Sequence, residues 1–197
     1  MEKYINKPLN IQNKIFLEIL YKTPQLIEML RELSNINLPN HYIGGGYITQ
    51  TIWNHIYRKE LHYGISDIDI VYYCDKDLSE EAEKKTEELV IKKLDFLNLN
   101  FGIDVKNEAR VHLWYEKKFG IPLEKYESSE EAIASWPSYS TAIGVRMEEE
   151  NITVFAPYGF HDLFSGIIRH NKILATEEVF FGKAEKWKQK WPDLVVL

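Results

Sequence analysis

The chain has 197 residues, a formal net charge of −6, and 45% apolar against 27% charged residues. That length can bury one ordinary core, and that composition excludes a disordered or fibrous chain. The negative balance argues against a broad electrostatic footprint for nucleic acid and leaves room only for a local basic patch. A single cysteine, Cys74, excludes an internal disulfide framework and suits a reducing compartment. The start, "MEKYINKPLN", carries no apolar leader-type run, and no stretch is long enough to cross a bilayer. The expectation is a cytoplasmic protein with no membrane partner.

Residues 11–33 read as two helices. Ile11, Ile15, Ile19 and Leu20 share a face, and Thr23-Pro24 supplies a cap and a first-turn proline ahead of Leu26, Ile27, Leu30 and Leu33. "HYIGGGYITQTIW" reads as a short strand, a glycine turn and a helix with Ile48, Ile52 and Ile56 inward. "GISDIDIVYY" (64–73) is a strand, residues 80–93 a charged helix, and "FGIDVK" (101–106) a second buried strand. Residues 108–118 read as a helix ending at Gly120, and Ser128 with Glu131 forms a capping box for a short helix. "TAIGVRM" and "ITVFA" flank the polar turn "EEEN" as a hairpin, and helices near 160–169 and 177–190 close the chain. Interspersed helices and strands define an α+β class, a mixed β-sheet flanked by helices. The expected organisation is one domain over 1–197: N-terminal helices to 40, a core over 41–125, then the hairpin and closing helices.

The stretch at 64–73 poses a physical problem, because a carboxylate leaves water at a cost unless a positive charge faces it. Alternation sends Asp67 and Asp69 to one face of the strand and Ile68 and Ile70 to the other. Same-face neighbours lie roughly 6–7 Å apart at Cα. Two carboxylates at that spacing repel unless a cation bridges them, and hard oxygen ligands suit Mg²⁺. Asp104, between Ile103 and Val105, is a third acid in an apolar strand. On neighbouring strands the three acids could converge on a pair of ions about 3.5–4 Å apart.

Other readings of the same residues stand beside this one. An Asp-Ile-Asp-Ile strand also suits a half-exposed position with its acids in water. D-x-D also occurs where metal-dependent glycosyltransferases hold a sugar nucleotide. Gly44 to Gly46 suit either a plain strand-to-helix bend or backbone N–H groups cradling triphosphate oxygens. "GGGYITQT" lacks the lysine of a Walker-A loop. Asp162 of the lone His161-Asp162 pair reads as favourable charge in a helix's first turn.

The order strand, Gly-Gly turn, helix, D-x-D strand and later acidic strand resembles the polymerase-β type of nucleotidyltransferase. Six segments extend the likeness: "GGYITQTIWNHI", "DIDIVYY", "VKNEARVH", "WPSYSTAIGVR", "FAPYGFHDLF" and "KWKQKWPDL". In that order they resemble the bacterial nucleotidyltransferase family NTP-transferase-6 (DUF925), over nearly the whole chain from residue 41 onward.

The resemblance implies a polymerase-β palm-like fold and a Mg²⁺- or Mn²⁺-dependent reaction. A nucleoside monophosphate would pass from an NTP to an acceptor (small molecule, protein or nucleic acid), with pyrophosphate leaving. Carried over by position, Gly45 and Gly46 hold the phosphates, and Asp67, Asp69 and Asp104 are the metal-binding, catalytic acids. Lys106, Asn107, Arg110 and His112 line the nucleotide or acceptor site, although a helix start with solvated cations explains them equally. Trp136, Pro137 and Arg146 match as well, the first two being open to explanation by aromatic packing. The chain departs from the family pattern at Thr49, where an arginine is usual, at Cys74, where an aspartate is frequent, and at Glu108, where glutamine is usual. Loss of the arginine removes a cation near the phosphates, which Arg58 or Lys106 could replace. The alternative is a weak or inactive nucleotide-binding module of the same fold, and a D-x-D glycosyltransferase is disfavoured by the short chain and the upstream glycine turn.

Overall fold

The computed structural model of the protein describes residues 4–197. Two amphipathic helices come first, α1 (Leu9–Leu20) and α2 (Pro24–Asn35), and they bury Phe16, Leu20, Leu26, Met29, Leu30 and Leu33. Pro24 sits in the first turn of α2 as its fixed φ favours. Thr23 does not cap that helix. Its hydroxyl turns back and donates to the Ile19 carbonyl at 3.4 Å. Ile11, expected inward, is 39% exposed, because Gln12 and Phe16 take the buried face of α1.

A five-stranded sheet follows, in the spatial order β3-β2-β1-β4-β5. Its strands are β1 (Tyr42–Gly44), β2 (Asp67–Tyr72), β3 (Gly102–Asn107), β4 (Gly144–Glu148) and β5 (Asn151–Phe155). β1 runs antiparallel to both β2 and β4, β4 runs antiparallel to β5, and β2 and β3 are parallel. Parallel neighbours need a crossover, and α4 (Glu80–Leu94) supplies it. Ser79 Oγ caps that helix by accepting the Ala82 N–H, and Glu80, Glu81 and Glu83 complement its N-terminal dipole. The sheet is therefore mixed, with the two aspartate-bearing strands adjacent.

The pairing register decides which residues share a face. Asp69 lies opposite Gly44 on one side and Asp104 on the other. Ile43, Ile68, Ile70 and Val105 point to the opposite face and are fully buried in the main core. Helix α3 (Gly45–Ile56) starts directly at the end of β1 and packs Tyr47, Ile48, Ile52 and Trp53 into that core. The alternation read from residues 64–73 is thus the alternation of the fold.

The hairpin of β4 and β5 turns at Glu149 and Glu150, both with positive φ, as a two-residue turn with the strands' own twist requires. Residues 108–118 form a 3₁₀ segment, Glu108–Leu113, and then α5 (Tyr115–Phe119), which ends at left-handed Gly120. A single helix is interrupted there because Trp114 leaves helical geometry at φ −129. Helix α6 (Ser129–Ala134) has its box: Ser128 Oγ accepts the Glu131 N–H at 3.1 Å, and the Glu131 carboxylate accepts the Glu127 N–H at 2.7 Å.

The expected helix over 160–169 is shorter. Helix α7 (His161–Ser165) stops at Gly166, and β6 (Ile167–Ile168) then pairs in parallel with β7 (Val195–Val196). Asp162 has a partner beyond the helix dipole, accepting from Arg169 Nε at 2.8 Å. Between β6 and β7 runs α8 (Glu177–Lys190), capped by Thr176 Oγ1, which accepts the Val179 N–H. Gly166 has φ +65, and a Cβ there would lie 2.2 Å from the Tyr57 hydroxyl oxygen. Gly166→Ala is expected to lose about 1–3 kcal/mol of stability in a urea melt. An unchanged midpoint would show that this turn relaxes without strain.

Candidate active site

The site is built where β1 hands over to α3. Gly44 and Gly45 pass so close to their neighbours that neither tolerates a side chain. A Cβ on Gly44 would lie 2.6 Å from the Ile143 carbonyl oxygen and 2.8 Å from the Trp136 ring. A Cβ on Gly45, which has φ +61, would lie 2.8 Å from Asp69 Oδ2. The Gly45 N–H donates to the Ile143 carbonyl at 3.1 Å, and the Gly46 N–H lies toward Asp69 and favours its charged form. The glycine turn therefore cradles an aspartate of the neighbouring strand.

Around this contact opens a cleft of about 160 Å³. Gly45, Gly46, Asp69 and Val71 form one part of its wall, and Lys106 and Glu108 from the end of β3 another. Trp136, Pro137 and Thr141 close a third side, and Lys183 and Trp187 reach in from α8. A larger groove, about 550 Å³, runs along the other side of α8 past Phe181, Ala184 and Pro192. Its wall contains neither the glycine turn nor Asp69.

The cleft's electrostatics are those of an acid cluster. Burial pushes the Asp69 carboxyl up to about 6; Asp67 and Asp104 push the same way, while Lys183 and the Gly46 N–H oppose them. Burial pushes Glu108 up to about 8, with Asp69, Glu83 and Asp104 adding to the shift and Lys106 opposing it. The Glu108 side chain takes no hydrogen bond from any described residue. Asp67 lies at the exposed start of β2 and accepts a bond from Ser66 Oγ at 2.9 Å. Asp104, about half exposed, is held by Lys106 Nζ at 2.6 Å.

These acids suit a hard divalent cation of a particular kind. Among the described residues, no group of three or more His, Cys, Asp or Glu side chains is placed to hold a metal ion by itself. The three aspartates expected as ligands lie on adjacent parallel strands, Asp69 paired opposite Asp104, and Asp104 also holds Lys106. Mg²⁺ characteristically binds one or two carboxylates and completes its shell with water and substrate phosphates, not with an all-protein cage. The raised carboxyl of Asp69, flanked by two more acids, is a place short of positive charge. The residues present fit such an ion.

The other expected site residues divide. Lys106, Trp136 and Pro137 reach the cleft. Asn107 and Arg110 do not, and they act on the scaffold instead. Asn107 accepts the Cys74 N–H at 3.0 Å and donates to the Cys74 carbonyl at 2.8 Å, clamping the end of β2 to the end of β3. Arg110 is buried in an ion pair with Glu83 and donates to the Leu78 carbonyl at 3.2 Å. Glu83 also accepts the Asn107 N–H at 2.8 Å, so this segment pins the crossover helix α4 to the end of β3. His112 is not in the cleft wall, and Arg146 pairs with Glu130 and Glu148 farther along the sheet. Thr49 is buried and donates to the Ser140 carbonyl at 2.8 Å, tying α3 to the segment behind Trp136. Arg58 follows the far end of α3 and does not line the cleft. Lys183 and Trp187, which sequence reasoning missed, stand four residues apart on one face of α8. That spacing is visible in the sequence, but nothing local connects it to a turn more than a hundred residues earlier.

Glycine turn, adjacent acidic strands and a helix behind them define a nucleotidyltransferase fold. The model of a nucleotidyltransferase family matches residues 31–196, and the chain belongs to that family. One solved structure, an NMR structure said to reveal a CCA-adding enzyme head domain, is similar with a TM-score of 0.74 at 22% sequence identity. The likeness covers 92% of this chain and 94% of that one. At this identity it shows the fold and carries no acceptor with it. No curated protein sequence matches the chain. Among the described residues no helix is long and apolar enough to cross a membrane.

Glu108 has a measurable consequence. Its folded pKa lies above the ordinary value of 4.5, so the unfolded chain releases this proton first as pH rises. Its contribution is complete below about pH 4.5 and is lost progressively as pH rises through about 8. Glu108→Gln should flatten that slope in urea melts and raise stability at the alkaline end. An unchanged slope would mean that Glu108 ionises freely in the fold.

Proposed function

We propose that this protein transfers a nucleoside monophosphate from an NTP to an acceptor hydroxyl or phosphate, with Mg²⁺ or Mn²⁺ and release of pyrophosphate. The observation that carries the reading is Asp69, lodged against the Gly45–Gly46 turn beside Asp67, in a cleft that disfavours its charge. Asp67 and Asp69 would hold the divalent ion, which supplies charge neutralisation at the phosphates and the leaving pyrophosphate.

The chain's own groups do the rest. The missing Cβ atoms of Gly44 and Gly45 let Asp69 and the Trp136 ring close onto the start of α3, where the helix dipole would favour the negative charge of substrate phosphates. Trp136 and Pro137 exclude water from one side. Lys106 draws negative charge toward β3, and Asp104, its partner, is the group that accepts the acceptor's proton through a carboxylate oxygen. The new bond joins the acceptor oxygen to the α-phosphorus, and the bond to pyrophosphate breaks. Glu108, whose carboxyl burial pushes up, lines the same cleft and would face the bound nucleotide or acceptor.

The test is an NTP panel with Mg²⁺ or Mn²⁺, a metabolite mixture and a protein extract, read as pyrophosphate and as nucleotidylated products by mass. Asp67→Asn with Asp69→Asn should lower pyrophosphate release by about 10²–10³-fold or more. The same variant should be as stable as the wild type, or more so, without metal, because like-charge repulsion is relieved. NTP-dependent stabilisation without pyrophosphate release would instead make the protein a binding module. Release of nucleoside diphosphate from a sugar nucleotide would overturn the reaction assigned here.

A further inference from the structure

Two lysines line the cleft, and their circumstances differ. Lys106 is already paired with Asp104 at 2.6 Å. Lys183 makes no hydrogen bond or ion pair with any described residue, although it lines the same cleft as Asp69 and the glycine turn. No cation comes from α3, where Thr49 is buried against the Ser140 carbonyl. The uncommitted positive charge at the glycine turn therefore comes from the C-terminal helix.

That helix is firmly seated. Phe180 is buried and its ring stacks on His170 at 4.5 Å between centroids. Trp191 is buried against Trp53 at 5.6 Å, and its Nε1–H donates to Asn54 Oδ1 at 3.0 Å. Lys190 Nζ donates to the Gly64 carbonyl at 2.7 Å. Lys183 is three residues after Phe180 and four before Trp187, so it rides at the edge of the buried face. The helix is placed by packing while the exposed Lys183 ammonium stays uncommitted, which suits a point-charge contact to a phosphate oxygen.

We propose that Lys183 binds the polyphosphate of the donor nucleotide, supplying from α8 the cation that Thr49 cannot supply from α3. This rests on the donor site proposed above. It makes α8 part of the catalytic cleft, with Trp187 closing the side next to the lysine.

The experiment is calorimetric titration of the whole chain with inorganic tripolyphosphate at low salt, without divalent metal. Lys183→Ala should weaken binding about tenfold or more, and Lys183→Arg should keep it within about threefold. Lys186→Ala removes the same charge from the same helix but does not line the cleft, and it should bind as wild type does. Melting temperatures without ligand should match in all three variants, since both lysines are exposed. Equal binding by Lys183→Ala and wild type overturns this inference and leaves the donor site standing, as does equal loss in the Lys186→Ala variant. No binding by the wild type overturns this inference as well, and the donor site is then decided by the NTP panel with Mg²⁺ or Mn²⁺ described above.

Discussion

Everything in this site depends on one close approach. Gly44 and Gly45 bring the end of β1 against Asp69, the Trp136 ring and the Ile143 carbonyl with no space for a Cβ. Three requirements meet there. β1 must pair with β2 in the register that sets Gly44 opposite Asp69. α3 must begin at once, so that the Gly45 N–H meets the Ile143 carbonyl and the Gly46 N–H lies toward Asp69. The segment carrying Trp136 must fold back over the turn. A side chain at either glycine would push one of these apart, and the shape of the cleft would go with it.

The charge balance follows from that geometry. Strand alternation puts Asp67 and Asp69 on the same face, and the parallel β2–β3 pairing adds Asp104 opposite Asp69. The chain answers three acids with Lys106 on the same strand as Asp104, and with Lys183 from a helix near the other end of the sequence. This leaves Asp69 with a raised carboxyl, a state that a bound cation reverses. Buried Glu108 adds a proton-holding group to the same cleft. An acidic chain of net charge −6 thus still places two lysines, Lys106 and Lys183, in the wall of this cleft.

The scaffold behind the cleft rests on residues with the look of ligands. Asn107 joins β2 to β3 through both its side-chain atoms, and buried Arg110 locks α4 through half-buried Glu83. Polar residues at a strand end pair readily with either backbone or substrate, and the motif alone does not distinguish the two. Burial decides it: a buried guanidinium needs its carboxylate at hand, and Glu83 is already there. Thr49 shows the same logic, since its hydroxyl ties two segments together where a longer cation would need open space.

By itself the sequence determined the parts that local periodicity encodes. Alternation at 67–71 assigned the acid face and the core face, the Gly-Gly run located the turn, and the Ser128 box located α6. The family resemblance ordered these parts correctly, because it depends on which pieces follow which. Short elements escaped it. Two-residue strands such as β6 and β7 have no period to read, and Gly166 ended α7 where hydrophobic spacing alone continued it. What only the tertiary structure decided is which side chains meet. Asp104 turned to Lys106, Asn107 and Arg110 turned inward to the scaffold, and Lys183 arrived from α8, because contacts between distant segments are set by packing and register, which no local stretch of sequence contains.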